Sequence, residues 1–285
     1  MALSGRFGPP SQLASTPHDA ELRTAARHLA RRRFLTVTAA AAALAFTTNL
    51  PAHGAFAAPR LDAARITRDP FTLGVASGDP LPDSVLIWTR LAPAPFEPDG
   101  GLGQERVEVS WEVALDESFA LVVAQGTATA HPEYAHSVRV DVKGLDPDSH
   151  YHYRFRTGTW ISPAGRTRTA PAAGEDTASL RLAAVACQAY HDGYYTAHGH
   201  LAREDVDVVF HLGDYLYEYA VDSAGGARGY TDVVLPSVFN RETTTLADYR
   251  MRYALYKSDP DLRAAHAAHP FVVTWDDHET ENNYA

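Results

Sequence analysis

VVFHLGDYLYEY, Val208 to Tyr219, decides how the rest of this chain is read. Val208-Val209-Phe210 is a short apolar run of β-branched and aromatic residues, the composition of a strand buried on both faces of a parallel sheet. The run stops at Gly213-Asp214, and the text turns polar at once with Tyr215, Tyr217 and Glu218. A glycine lets the backbone turn sharply as the strand ends. Asp214 can then present both carboxylate oxygens at the strand's carboxyl edge, and Tyr217, three residues on, can return to the same point.

Two further segments are built the same way. LRLAAVAC, Leu180 to Cys187, is a short apolar strand ending at Cys187-Gln188, and FVVTWDD, Phe271 to Asp277, runs into Asp276-Asp277-His278-Glu279. Helical stretches separate the three: Tyr194 to Arg203, Leu246 to Tyr256 with its tyrosines at helical spacing, and Asp261 to Ala268, announced by Asp259-Pro260. Strands alternating with helices imply a parallel sheet with right-handed crossovers. Ligands of such sheets bind outside the carboxyl ends of the strands, so three adjacent ends carrying metal-ligand side chains predict one site.

The residue types suit metal chemistry. Asp214 has enough oxygens to bridge two cations, the Tyr217 phenolate is a hard donor for a trivalent ion, and the Cys187 thiolate favours iron over magnesium or calcium. Asp277 can hold a second metal, which leaves His278 free to touch a substrate oxyanion or a leaving group. A plainer reading stays open for each: Asp214 as a turn cap, Tyr217 as a packed aromatic, Cys187 as an inert buried thiol, His278 as a satisfied core histidine. Asp276 and Glu279 are read as supports, His211 as packing, His266 and His269 as a surface pair, and Arg250 and Arg252 as solvated charges.

Upstream the rhythm differs. From Pro70 to about Pro171, SVLIWTRL, VEVSWEVAL, VVAQGTATA, HSVRVDV and HYHYRFRT are short strands broken by turn residues, the pattern of an all-β sandwich. Val107, Val109, Trp111 and Val113 share one face of their strand, with Glu108, Ser110 and Glu112 on the other. Leu145-Asp146-Pro147 ahead of Tyr151 resembles the tyrosine corner of immunoglobulin and fibronectin type III sandwiches. Residues 58–170 are thus expected to form an accessory sandwich, joined through a Thr169 to Ser179 linker to an α/β part over residues 180–285.

At the N-terminus, Arg31-Arg32-Arg33-Phe34-Leu35, an alanine-rich apolar run and Ala55-Phe56-Ala57 have the order of an export signal over residues 1–57. The run is short and alanine-rich for a membrane span, and its R-R-x-F-L core resembles a twin-arginine signal, which implies the Tat machinery as a partner and an exported protein; the alternatives are an ordinary secretory signal and a stop-transfer anchor. The mature chain then holds a single cysteine, so no internal disulfide can form. With 25 Lys and Arg against 35 Asp and Glu, a net charge of -10 argues against a nucleic-acid binder. An apolar fraction of 45% over 285 residues is ample for a core, and the chain is read as a monomer.

Gly213-Asp214-Tyr215-Leu216-Tyr217 resembles the G-D-x-x-Y block of the calcineurin-like metallophosphatases, and Trp275-Asp276-Asp277-His278-Glu279 resembles the block written G-N-H-[DE]. With a cysteine for the first aspartate and a sandwich ahead, whose opening spans Phe71 to Leu91, the chain resembles the PhoD-like alkaline phosphatase family. The resemblance implies that Cys187, Asp214 and Tyr217 bind Fe3+, that Asp214 also reaches Ca2+ held partly by Asp277, and that His278 assists at the phosphate. It implies metal-assisted hydrolysis of phosphate monoesters and diesters, phospholipids among them. Alternatives are a phospholipase D or other phosphodiesterase on the same site, and a catalytically inactive secreted β-sandwich binding protein. The later histidine and aspartate ligands of that superfamily do not occur before Ala285, which implies a fragment that binds metal poorly on its own.

Overall fold

Ser77 pairs with Pro270 and Gly78 with Phe271, in parallel, so the start and the end of the folded sequence share one sheet. The structure, a computed structural model, describes residues 59–221, 228 and 235–284. The signal-like segment over residues 1–57, and residues 222–227 and 229–234 of the Ala220 to Val238 insertion, lie outside the described residues.

In chain order the strands are β1 (Val75–Leu81), β2 (Ser84–Arg90), β3 (Val107–Ala114), β4 (Val122–Ala130), β5 (Ser137–Lys143) and β6 (His150–Thr157). They continue with β7 (Trp160–Ile161), β8 (Gly165–Arg168), β9 (Leu182–Val185), β10 (Val208–His211) and β11 (Pro270–Val273). One sheet runs β5-β2-β1-β11-β10-β9; the other runs β4-β3-β6-β7, with β8 also on β6. Among the described residues three α-helices accompany them: α1 (Thr196–Leu201), α2 (Leu246–Lys257) and α3 (Pro260–Ala268). The fold is therefore mostly sheet with few helices.

Between the sheets of the N-terminal part lies a core of Val107, Val109, Val113, Ile87, Tyr151, Tyr153 and Phe155. Trp111 is only half-buried and covers Gly126, where a Cβ would lie 2.7 Å from the indole. The Tyr151 hydroxyl accepts the backbone N–H of Asp146 at 2.8 Å, closing the corner between β5 and β6.

The sequence predicts a self-contained sandwich, but one of its sheets continues through β1 into the parallel strands β11, β10 and β9. Gly78 permits this. A Cβ there would stand 2.5 Å from the Phe271 carbonyl oxygen, so a side chain would push the two strands apart. Gly78 and Pro80 also hide β1 from a reading by propensity, since both residues are depleted in strands.

α2 begins in a capping box, with Thr245 and Asp248 each accepting the other's backbone N–H. α3 begins at Asp259, whose carboxylate accepts the N–H of Asp261 and Leu262 ahead of Pro260 at the first turn. A second core, rich in tyrosine, gathers Tyr190, Tyr195, Tyr215, Leu216, Phe239, Leu255 and Tyr256 under the carboxyl ends of β9 and β10.

Three side chains read as solvated are buried. His266 is 4% exposed, His269 0% and Arg252 1%. His266 faces the sheet from α3 and meets the Tyr215 hydroxyl at 2.9 Å, while His269 lies against the carbonyls of Leu201 and Val206. Arg252 donates from α2 to the carbonyls of Tyr219 and Arg241. His266 lies on α3, His269 follows it at its C-terminal cap, and Arg252 lies on α2.

Candidate metal centre

The register Val185↔His211↔Val273 sets one row across β9, β10 and β11. Cys187, Gly213 and Trp275 each lie two residues past that row, so the three segments leave the sheet side by side. Gly213 has φ 111°, and a Cβ on it would stand 2.5 Å from Asp276 Cβ and 2.7 Å from its amide nitrogen. No residue with a side chain fits at this crossing.

Backbone bonds lace the strand ends together. Cys187 N–H donates to Gly213 O at 3.2 Å, Gln188 N–H to Asp214 O at 3.1 Å, and the Gln188 amide to Tyr215 O at 2.9 Å. The buried carboxylate of Glu279 accepts the N–H of Tyr215 through Oε1 and that of Asp276 through Oε2, clamping the β10 end to the β11 end. Cys187 (φ 53°) and Asp214 (φ 55°) both take the left-handed conformation that disfavours side chains. Such strain costs on the order of 1–3 kcal/mol per residue and concentrates at functional sites.

The side chains meet on Asp214, which is 6% exposed. The Cys187 thiol donates to its Oδ2 at 3.4 Å and the Tyr217 hydroxyl donates to the same oxygen at 3.1 Å. Oδ1 has no hydrogen-bond partner among the described residues. A buried carboxylate oxygen without a partner carries an uncompensated desolvation penalty of roughly 1–3 kcal/mol. Ligand atoms of Asp214, Asp277 and His278 lie within 4.8 Å of one another.

His278 is held from behind. Its Nδ1 lies 2.8 Å from Oε2 of Glu218, and Glu218, 1% exposed, also accepts Asn282 N–H at 2.8 Å. The imidazole ring stacks on Tyr217 at 4.1 Å. Asp277 accepts the N–H of Asn283 and of His278.

Electrostatics follow from these contacts. Desolvation and the Asp214 carboxylate hold the Cys187 thiol above its ordinary range, and the same two causes push the Tyr217 phenol up. Desolvation pulls His278 down, but its bond to Glu218 and the charges of Glu218, Asp214 and Asp277 outweigh it and raise the imidazole pKa. Asp277 is held low, chiefly by the Asn283 N–H. The protons on Cys187 and Tyr217 thus balance Asp214 where a cation would, and a metal bound there would have to displace them. One thiol, one phenol and an orphaned carboxylate oxygen around one point fit a cation.

The structure brings together Cys187, Asp214, Tyr217, Asp277 and His278. Cys187 is exposed, which removes the reading of an inert buried thiol. Glu218 sits beside Tyr217 in the sequence, and nothing local marks it as the residue that turns inward to His278.

A model of the PhoD-like phosphatase N-terminal domain matches residues 55–171, and one of the PhoD-like phosphatase matches residues 182–285. The chain belongs to the PhoD-like phosphatase family. It is 53% identical over 220 residues to alkaline phosphatase D of Bacillus subtilis (strain 168), covering 76% of this chain and 36% of that protein. A solved structure described as that of PhoD superposes with a TM-score of 0.71 at 52% identity, covering 78% of this chain and 41% of that one. The chain therefore spans about a third of the length of the curated relative it matches.

Proposed function

We propose that this chain carries part of the active site of an exported, metal-dependent phosphoesterase of the alkaline phosphatase D type, acting on phosphate monoesters and diesters. The observation that carries the reading is the meeting of the Cys187 thiol and the Tyr217 phenol on one oxygen of Asp214, with Asp277 and His278 alongside. Cys187, Asp214 and Tyr217 would hold Fe3+, while Asp214 and Asp277 would hold Ca2+. When bound, such cations supply Lewis acidity toward a phosphoryl oxygen and lower the pKa of water.

The chain's own residues do the rest. Glu218 fixes the orientation of His278 and favours its protonated form, so Nε2 carries the proton that a departing alkoxide or phenoxide needs. Glu279 and Gly213 keep the β10 and β11 ends in contact, so Asp214 and Asp277 face the same point. Precise placement matters because a displacement of about 1 Å can lower the rate on the order of a hundredfold.

The test is hydrolysis of a phosphomonoester, a bis-aryl phosphodiester and phosphatidylcholine by the full-length protein loaded with iron and calcium. Turnover of at least one, lost in Asp214→Asn, is the expected result; no turnover above background of any overturns the reading. Export is tested separately by fusing residues 1–57 to a reporter, whose translocation should cease when Arg31 and Arg32 are both replaced by Lys.

A further inference from the structure

We infer that Tyr256 is a positioning residue for the metal centre, holding the Cys187 loop and the Tyr217 loop at a set separation; this rests on the proposed function. Tyr256 lies on the last turn of α2 and is 0% exposed. Its hydroxyl accepts two backbone amides, that of Tyr190 at 3.2 Å and that of Tyr217 at 2.9 Å. Tyr190 follows Cys187 by three residues on the β9 side, and Tyr217 is itself a candidate ligand on the β10 side. One phenol oxygen from outside both loops is thus shared by the two segments that deliver the thiol and the phenol to Asp214.

The remaining contacts make this oxygen hard to replace. The ring packs against Tyr190 at 5.6 Å and Tyr195 at 6.3 Å, and Tyr195 in turn donates to Gln188 O at 2.6 Å. The Tyr256 ring is therefore fixed by the same loop that its hydroxyl holds. Removing the hydroxyl takes away the one oxygen that accepts both amides, so the two loops are no longer tied through a common point. Outer contacts of this kind typically change metal affinity about 10–100-fold.

The test compares wild type, Tyr256→Phe and Tyr253→Phe in the full-length protein, titrated with Co2+ and with ferric nitrilotriacetate. Thiolate-to-cobalt and tyrosinate-to-iron absorption bands report Cys187 and Tyr217 directly. Tyr253 lies on the same helix with its ring 5.9 Å from that of Tyr215, and serves as a control for the loss of a tyrosine hydroxyl. Tyr256→Phe should weaken binding about 10–100-fold and shift or erase the bands, with Tyr253→Phe like wild type. Equal bands and affinities in Tyr256→Phe and wild type overturn the role of Tyr256 while leaving the metal site standing. Absence of both bands in wild type overturns the metal site and Tyr256's role together. Hydrogen exchange in wild type is independent of whether Tyr256→Phe folds: the amides of Tyr190 and Tyr217 should be protected like those of β10, and exchange at open-loop rates overturns the inference.

Discussion

His278 Nδ1 stands 2.8 Å from Oε2 of Glu218, a carboxylate enclosed to 1% exposure. The pair joins the third strand end to the stretch that follows the second. It sets which ring nitrogen of His278 is left to work, because Nδ1 is occupied.

Glu218→Gln should lower the His278 pKa toward or below the ordinary histidine value of about 6.5, since the raising contributions begin with Glu218. The measurement is an NMR titration of the metal-free chain. A raised imidazole pKa stabilises the fold below the unfolded value and that contribution fades as pH rises through the folded one, so the variant should lose stability on the acid side only. In the loaded full-length enzyme, turnover should fall by about 10²–10⁴.

Asp214→Asn should separate folding from metal binding. Metal-free wild type buries Asp214 with Oδ1 unpartnered among the described residues, so neutralising it removes a penalty. The metal-free Tm should hold or rise by about 2–4 °C, while the Tm rise expected of wild type on adding iron or calcium should be absent from the variant. Scanning calorimetry with and without metal reads both; a preserved metal-dependent rise would show that the cation binds elsewhere.

Lys257 should make stability increase with pH. Desolvation, with Arg263 a lesser cause, brings its pKa from 10.5 to about 7, and its ammonium lies 4.6 Å from the Trp88 ring centre. Between those values the unfolded chain holds a proton that the folded chain lacks. Stability is therefore greatest toward the unfolded value and is lost as pH falls to about 7, at up to about 1.4 kcal/mol per pH unit. Urea melts from pH 7 to 9.5 should show this slope in wild type and lose most of it in Lys257→Met. Below about pH 6.5 the buried, neutral His266, whose pKa burial depresses, adds a further loss in both.

Gly78→Ala should loosen the seam between β1 and β11. The added methyl would meet the Phe271 carbonyl oxygen at 2.5 Å, and overpacking of this kind costs about 1–3 kcal/mol. Tm should fall by about 2–4 °C for each kcal/mol, and hydrogen exchange should speed up at β11 more than at β3. A uniform change across both sheets would argue against the seam.

Much of the fold is legible from local pattern. β4 and β6 span the residues that alternation and turn composition mark, and Asp259-Pro260 opens α3 where the capping signal stands. β1 is not legible, because Gly78 and Pro80 read as turn residues and are explained only by a strand that comes back beside them at the end of the chain. The buried states of Arg252, His266 and His269 are illegible for a related reason: helical spacing tells which residues share a face, not how many neighbours enclose the helix.

The sequence by itself determined the donors and their order: a thiol, a carboxylate and phenol, and an acidic cluster with histidine, each placed just after an apolar strand. That much is local, since strand composition and the break that ends it are written in neighbouring residues. Tertiary structure decided what holds the donors still. Glu218 behind His278, Glu279 across two strand ends and Tyr256 beneath two loops all act on residues far away in the chain. A buried acceptor is chosen by the amides that folding brings to it, and no local pattern records that choice.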